Sequence, residues 1–214
     1  MIVEAAAAGG VALVALGMVL TPGPNMVYLT SRAIGQGRRA GLVSLAGTGV
    51  GFLCYLLMAV AGLSVVFGAV PAAFTVLKLA GAAYLAYLAW GMIRPGGHGL
   101  FSPRELDPVS DGRLFGMGLL TNLLNPKIAL MYAALLPQFV SPESGPVWLQ
   151  LLQLGAVQIV IAVAVNGMIV LGAAKIAGFL FARPRVMLAQ RWAAGTLLTG
   201  FAVKTALGKG PAPA

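Results

Sequence analysis

Two short runs hold most of the residues in this 214-residue chain that could do chemistry in an apolar setting. The first is Thr21-Pro22-Gly23-Pro24-Asn25, and the second is Thr121-Asn122-Leu123-Leu124-Asn125-Pro126-Lys127. Each proline lacks a backbone donor and clashes with the carbonyl four residues earlier, so helix cannot pass through normally. Backbone groups freed at membrane depth must be satisfied by protein or by water in a cavity. The half-helix that restarts after such a break points a partially positive N-terminus at whatever lies there, an arrangement suited to an anionic group. A plain proline kink needs no ligand. Two matched breaks, each beside asparagine, favour a site.

Lys127 is the most informative single residue. It stands near the centre of an apolar run, where lysine costs about 2.5–3.5 kcal/mol on insertion scales. A residue so costly is expected to face the bundle interior or a wet cavity. Lys78 and Lys204 lie nearer the ends of their runs and are expected to snorkel to an interface.

Missing residue types narrow the chemistry further. The five acids, Glu4, Glu105, Asp107, Asp111 and Glu143, all fall in tails or loops. A metal or Na⁺ site built from buried carboxylates is therefore not expected, and neither is a carboxylate dyad for hydrolysis. The single histidine, His98, is in a loop, and the single cysteine, Cys54, excludes a disulfide framework and a redox pair. No metal, cofactor or catalytic residue is expected. Uncharged polar residues complete the candidates. Ser44, Gly47, Thr48 and Gly51 share a helical face, where small residues more often mean close helix packing. Gln158 and Asn166 share another face, for bonding a neighbouring helix or lining a polar path.

The elements that position these residues follow from composition. Hydrophobic residues make up 59% and charged residues 9% of the chain. Soluble chains have about 45–50% and 25%. So few charges cannot coat a globular surface, which excludes a soluble enzyme, and disorder requires the opposite composition. The chain is expected to be an all-α integral membrane protein with six spans near 5–31, 41–67, 72–93, 114–137, 147–173 and 192–208. Arg32, Arg38 and Arg39 mark the first loop; Arg94, Arg104 and Arg113 the third; Lys175, Arg183, Arg185 and Arg191 the fifth. The second and fourth loops and the N-terminal tail hold no Lys or Arg. The positive-inside rule then places loops one, three and five in the cytoplasm and both termini outside. The net charge of +9 is thus a topology code with some attraction to anionic lipid, and nucleic acid is not needed to explain it. The start, Met1-Ile2-Val3-Glu4, lacks a positive n-region, so the first run is expected to be retained.

Broken first and fourth spans, with an echo between Leu79-Ala80-Gly81-Ala82-Ala83-Tyr84-Leu85 and Ala193-Ala194-Gly195-Thr196-Leu197-Leu198, suggest one three-helix unit used twice. Three is odd, so the two copies would cross in opposite directions, the inverted repeat of many secondary transporters. A single domain over 1–214 follows, with repeats near 5–93 and 114–208 joined by a loop at 94–113.

Pro-Gly-Pro-Asn at 22–25, the glycines 41, 47 and 51, Gly81-Ala82-Ala83-Tyr84-Leu85 and Asn125-Pro126-Lys127 with Pro-Gln-Phe at 137–139 together resemble the lysine exporter and threonine/homoserine-resistance (LysE/RhtB-type) translocators. The resemblance runs through the whole chain in order. It departs at Phe52, where many members of that family carry an acid. It implies a bacterial inner-membrane exporter of amino acids or related carboxylate-bearing metabolites, by proton antiport, and a homodimer is compatible with so small a carrier. The substrate pathway expected on this reading comprises Pro22, Gly23, Pro24, Asn25, Asn122, Asn125, Pro126, Lys127, Gly47, Gly51 and Asn166. Backbone amides would meet the carboxylate, asparagines the polar groups, and Lys127, alternating between charged and neutral forms, would couple solute to proton. The rival reading is a membrane scaffold or partner subunit whose prolines serve packing alone.

Overall fold

The computed structural model describes residues 3–62 and 107–207 and, between them, residues 79, 82, 83, 86, 87, 89–91 and 93–95. Much of the expected third span and loop residues 96–106, with Lys78, His98, Arg104 and Glu105, lie outside the described residues. The described residues form helices and turns with no strand.

The first apolar run is two helices, α1 (Ala5–Leu20) and α2 (Pro24–Gly35), meeting at 56°. Helix α1 stops where Pro22 offers no N–H, and α2 starts with Pro24 in its first turn, where a missing donor costs nothing. A turn at Gln36–Gly37, with Gly37 at φ 89°, leads into α3 (Arg38–Val60). Only glycine takes that left-handed conformation readily, so the reversal falls there. The fourth run breaks likewise. Helix α4 (Asp111–Leu123) meets the segment Pro126–Phe139 at 51°. That segment opens with the short α5 (Pro126–Leu130), then loosens into a π turn and a 3₁₀ turn that takes in Pro137. Helix α6 (Val147–Phe181) and α7 (Pro184–Leu207) complete the described residues.

By length and composition α3 and the 147–177 stretch of α6 can each cross a membrane alone, and counting each bent pair as one span raises the total to four among the described residues. Leu13, Leu57, Val160 and Met168 are each more than 60% exposed. Water would penalise such a surface, and lipid does not. The core lies between α1, α3, the 126–139 segment and α6, around Val11, Phe52, Tyr132, Leu136 and Leu154. A second cluster, Leu29, Ala33, Leu45, Val170 and Ala173, joins α2 and α3 to α6.

The first and fifth loops differ from expectation. Arg32 ends α2 and Arg38 and Arg39 begin α3, so only Gln36 and Gly37 connect these helices. Likewise Lys175 sits in α6 and Arg185 and Arg191 sit in α7, with Ala182 and Arg183 alone between them. Helix continues through these cationic residues because nothing breaks it before Gly37 or Pro184. The expected loops are therefore tight reversals flanked by helical cations.

Helices α3 and α4 cross with almost no side chain between them. A Cβ on Gly47 would lie 2.0 Å from the Phe115 carbonyl oxygen, and one on Gly118 would lie 2.1 Å from that of Ser44. Thr48 sits at the same crossing and donates to the Ser44 carbonyl at 3.1 Å and more weakly toward that of Gly118 at 3.4 Å.

Candidate functional site at the meeting of two broken helices

Breaking α1 leaves carbonyls without their normal partners. In a continuous helix the Met18 oxygen would accept from residue 22, but Pro22 has no N–H to give. The Thr21 oxygen loses its partner because the chain turns away at Gly23, whose backbone is fully extended. Both are met from the other break: Lys127 Nζ donates to the Met18 oxygen at 2.7 Å and to the Thr21 oxygen at 2.8 Å. The carbonyl end of a helix carries partial negative charge, so an ammonium is the fitting donor there. Gly23 gives it room, since a Cβ at that position would come within 3.0 Å of Nζ.

The second break is finished by its own asparagine and by a tyrosine from α3. Asn125 Oδ1 accepts from the Lys127 amide at 3.1 Å, capping α5. That amide would otherwise have closed the last turn of α4 on the Leu123 oxygen. Tyr55 takes its place, its hydroxyl donating to Leu123 at 2.6 Å while its ring stacks on Tyr132 with centroids 5.7 Å apart. The Tyr132 hydroxyl in turn donates to Gln158 Oε1. Tyr55→Phe keeps the stack and leaves the Leu123 carbonyl unpaired, a loss of about 1–3 kcal/mol. A lower thermal midpoint in detergent is expected, and an unchanged midpoint would show that water replaces the hydroxyl.

Between the breaks lies a cavity of about 30 Å³, lined by residues of α1, α2, α3, α5 and α6 and by the break residues themselves. A space of that size admits about two waters. Its polar lining comprises Thr21, Asn25, Asn125, Lys127, Gln158 and Asn166, and its apolar lining includes Met18, Met26, Phe52 and Ile128. No acid lines it. Asn25 Oδ1 and Asn125 Nδ2 are buried without a hydrogen-bond partner among the described residues. The Asn25 and Met26 amides, in the open first turn of α2, also have no acceptor there. Buried polar groups normally find partners, so these groups keep unused bonding capacity among the described residues.

Of the residues expected on the pathway, Gly23, Asn25, Asn125, Lys127 and Asn166 line the cavity. Pro22, Pro24 and Pro126 are buried beside it and act by ending and starting helices. Gly47 and Gly51 do not line it. Both face α4, with Gly51 so close to Asn122 that a Cβ would meet its side chain at 2.7 Å. Asn122 lies in that interface, fully buried, with both amide atoms unpartnered among the described residues. Asn166 Nδ2 donates to the Ala162 oxygen at 2.8 Å within α6. Tyr55 and Tyr132 are structural partners of the site that motif reading passes over. The signal for Tyr55 was its place seven residues after Thr48, on the face already singled out.

A bundle of apolar helices broken around a small cavity into which several polar side chains reach has the architecture of a membrane transporter. The chain matches the family described as LysE type translocator over residues 16–209, and it belongs to that family. It is 35% identical over 150 residues to a homoserine/homoserine lactone efflux protein of Salmonella typhimurium (strain LT2), covering 68% of this chain and 70% of the relative. A Salmonella typhi protein of the same description is 36% identical over 146 residues, 66% and 68% of the two chains. An uncharacterized membrane protein of Bacillus subtilis (strain 168) is 28% identical over 212 residues, 89% and 93% of the two. No solved structure matches. The chain is therefore a membrane efflux transporter and not an enzyme.

Proposed function

We propose that this chain exports amino acids or related carboxylate-bearing metabolites across a bacterial inner membrane by proton antiport. Its expected form is six spans in two inverted three-helix repeats with both termini outside. The observation that carries the solute class is the cavity between the two breaks, where Lys127, the unpartnered amides of Asn25 and Asn125 and the open first turn of α2 converge. Asn125 Nδ2 and the α2 amides suit a carboxylate, which takes up several donors at once. Asn25 Oδ1 suits a donor on the solute. Homoserine and its lactone, the solutes in the relatives' names, both carry a primary ammonium, but only the first has a free carboxylate. Recognition of the ammonium is thus the shared requirement. Among the described residues that line the cavity there is no acid, and Lys127 is the titratable group there through which a proton could be coupled to solute.

Cells fed dipeptides accumulate the constituent amino acids, and efflux is then followed across a panel that includes homoserine and its lactone. Expression of the chain should raise efflux of one chemical class, and a protonophore should abolish the rise. Efflux that persists under the protonophore removes antiport, and no efflux of any solute in the panel removes the substrate class.

A further inference from the structure

Two backbone acceptors at the end of α1 are already in use. The Met18 and Thr21 oxygens are held by Lys127 Nζ at 2.7 and 2.8 Å. A zwitterionic solute brings an ammonium with three protons to place. In a cavity that no acid lines among the described residues, carbonyls at the end of a helix are the groups fitted to receive it.

We propose that the Met18 and Thr21 carbonyls are the seat for the substrate's primary ammonium, and that the ammonium of Lys127 is a tethered stand-in which the substrate displaces. This rests on reading the cavity as the solute site. Three observations carry it. Pro22 removes the donor that would have filled Met18, so this acceptor exists only because the helix is broken. The glycine at 23 leaves the seat open to an ammonium, since a methyl there would come within 3.0 Å of Nζ. A third acceptor, Asn25 Oδ1, lines the same cavity, 93% buried and without a partner among the described residues.

The stand-in also solves a problem of the empty carrier. Two unpaired carbonyls facing a nearly dry cavity would be costly, and a bare cavity could admit stray cations. A lysine from the opposite break fills the seat without leaving the protein. When substrate enters, Lys127 withdraws along its flexible stem toward the incoming carboxylate. The exchange breaks no covalent bond, and one ammonium replaces another at the carbonyls.

The test uses the purified full chain in detergent with two probes, ethylammonium chloride and tetramethylammonium chloride, the second unable to donate a hydrogen bond. Lys127→Ala should bind ethylammonium saturably by calorimetry, at least tenfold more tightly than the wild type, and should ignore tetramethylammonium. Equal response of variant and wild type, or equal response to both probes, overturns the seat. If Lys127→Ala does not fold, Lys127→Ser serves in the same titration. A second measurement needs no variant: N-acetylation of the exported solute should weaken its competition for wild-type efflux at least tenfold, and undiminished competition overturns the proposal. A wild type that exports no amino acid while Lys127→Ala binds ethylammonium would remove the substrate class and keep the seat. Export without ethylammonium binding would do the reverse.

Discussion

In Lys127→Ala, efflux from dipeptide-fed cells falls at least about tenfold, while the protein still reaches the membrane. Tenfold corresponds to only about 1.4 kcal/mol in the transport barrier. The substitution removes far more than that from the site. Two hydrogen bonds from a charged donor, each worth about 1.5–3 kcal/mol net, disappear together with the one cation that the described residues place in the cavity. Stability suffers less than this sum, because the cost of burying the ammonium goes as well. Transport and abundance therefore separate, and both are measured, by efflux and by quantifying the protein in isolated membranes. Efflux retained at normal abundance would place the solute elsewhere. Tolerance of Lys127→Met as well would favour prolines that serve packing alone.

Gly47→Ala and Gly118→Ala should each remove most of the folded protein. A new methyl would sit 2.0 Å or 2.1 Å from a backbone oxygen on the facing helix. A carbonyl in the middle of a helix cannot swing aside as a side-chain tip can, so the two axes must part by more than an ångström. Separation loosens the Thr48 contacts and the packing of Gly51 on Asn122 at the same crossing. The loss lies at or beyond the upper end of the roughly 1–3 kcal/mol that overpacking costs. The readout is the monodisperse fraction on size exclusion and the thermal midpoint of helical circular dichroism. Gly116→Ala is the control, because a Cβ there meets nothing within 4 Å. A wild-type midpoint for Gly47→Ala would mean that the helices are not in backbone contact.

Both breaks and the interior position of Lys127 can be read from residue type, because proline and lysine carry strong, local penalties in an apolar run. The partner of Lys127 cannot be read this way. It is a pair of backbone carbonyls more than 100 positions away, and a carbonyl has no letter of its own. The same holds for Tyr55, whose task is to replace an amide lost at Leu123. Gly47 and Gly51 sat on the right face but belonged to the helix crossing, since small residues permit close approach to a helix as readily as to a solute. Gln158 and Asn166 do share the cavity wall that their spacing suggested. The first and fifth reversals are shorter than their cations suggest, because cations signal which side of the membrane a segment lies on and do not stop a helix.

The contact of Gly47 and Gly118 also bears on how the molecule can move. Where side chains interdigitate, neighbouring helices slide by changing rotamers. Two backbones in direct contact have no such play, and a small axial shift would drive an adjacent Cβ into a carbonyl. Helices α3 and α4 are therefore a welded frame. Among the described residues, a rocking that exposed the cavity first to one face and then to the other would fall on the bent pairs, α1 against α2 and the 126–139 segment against α4, with Lys127 as the bolt between them.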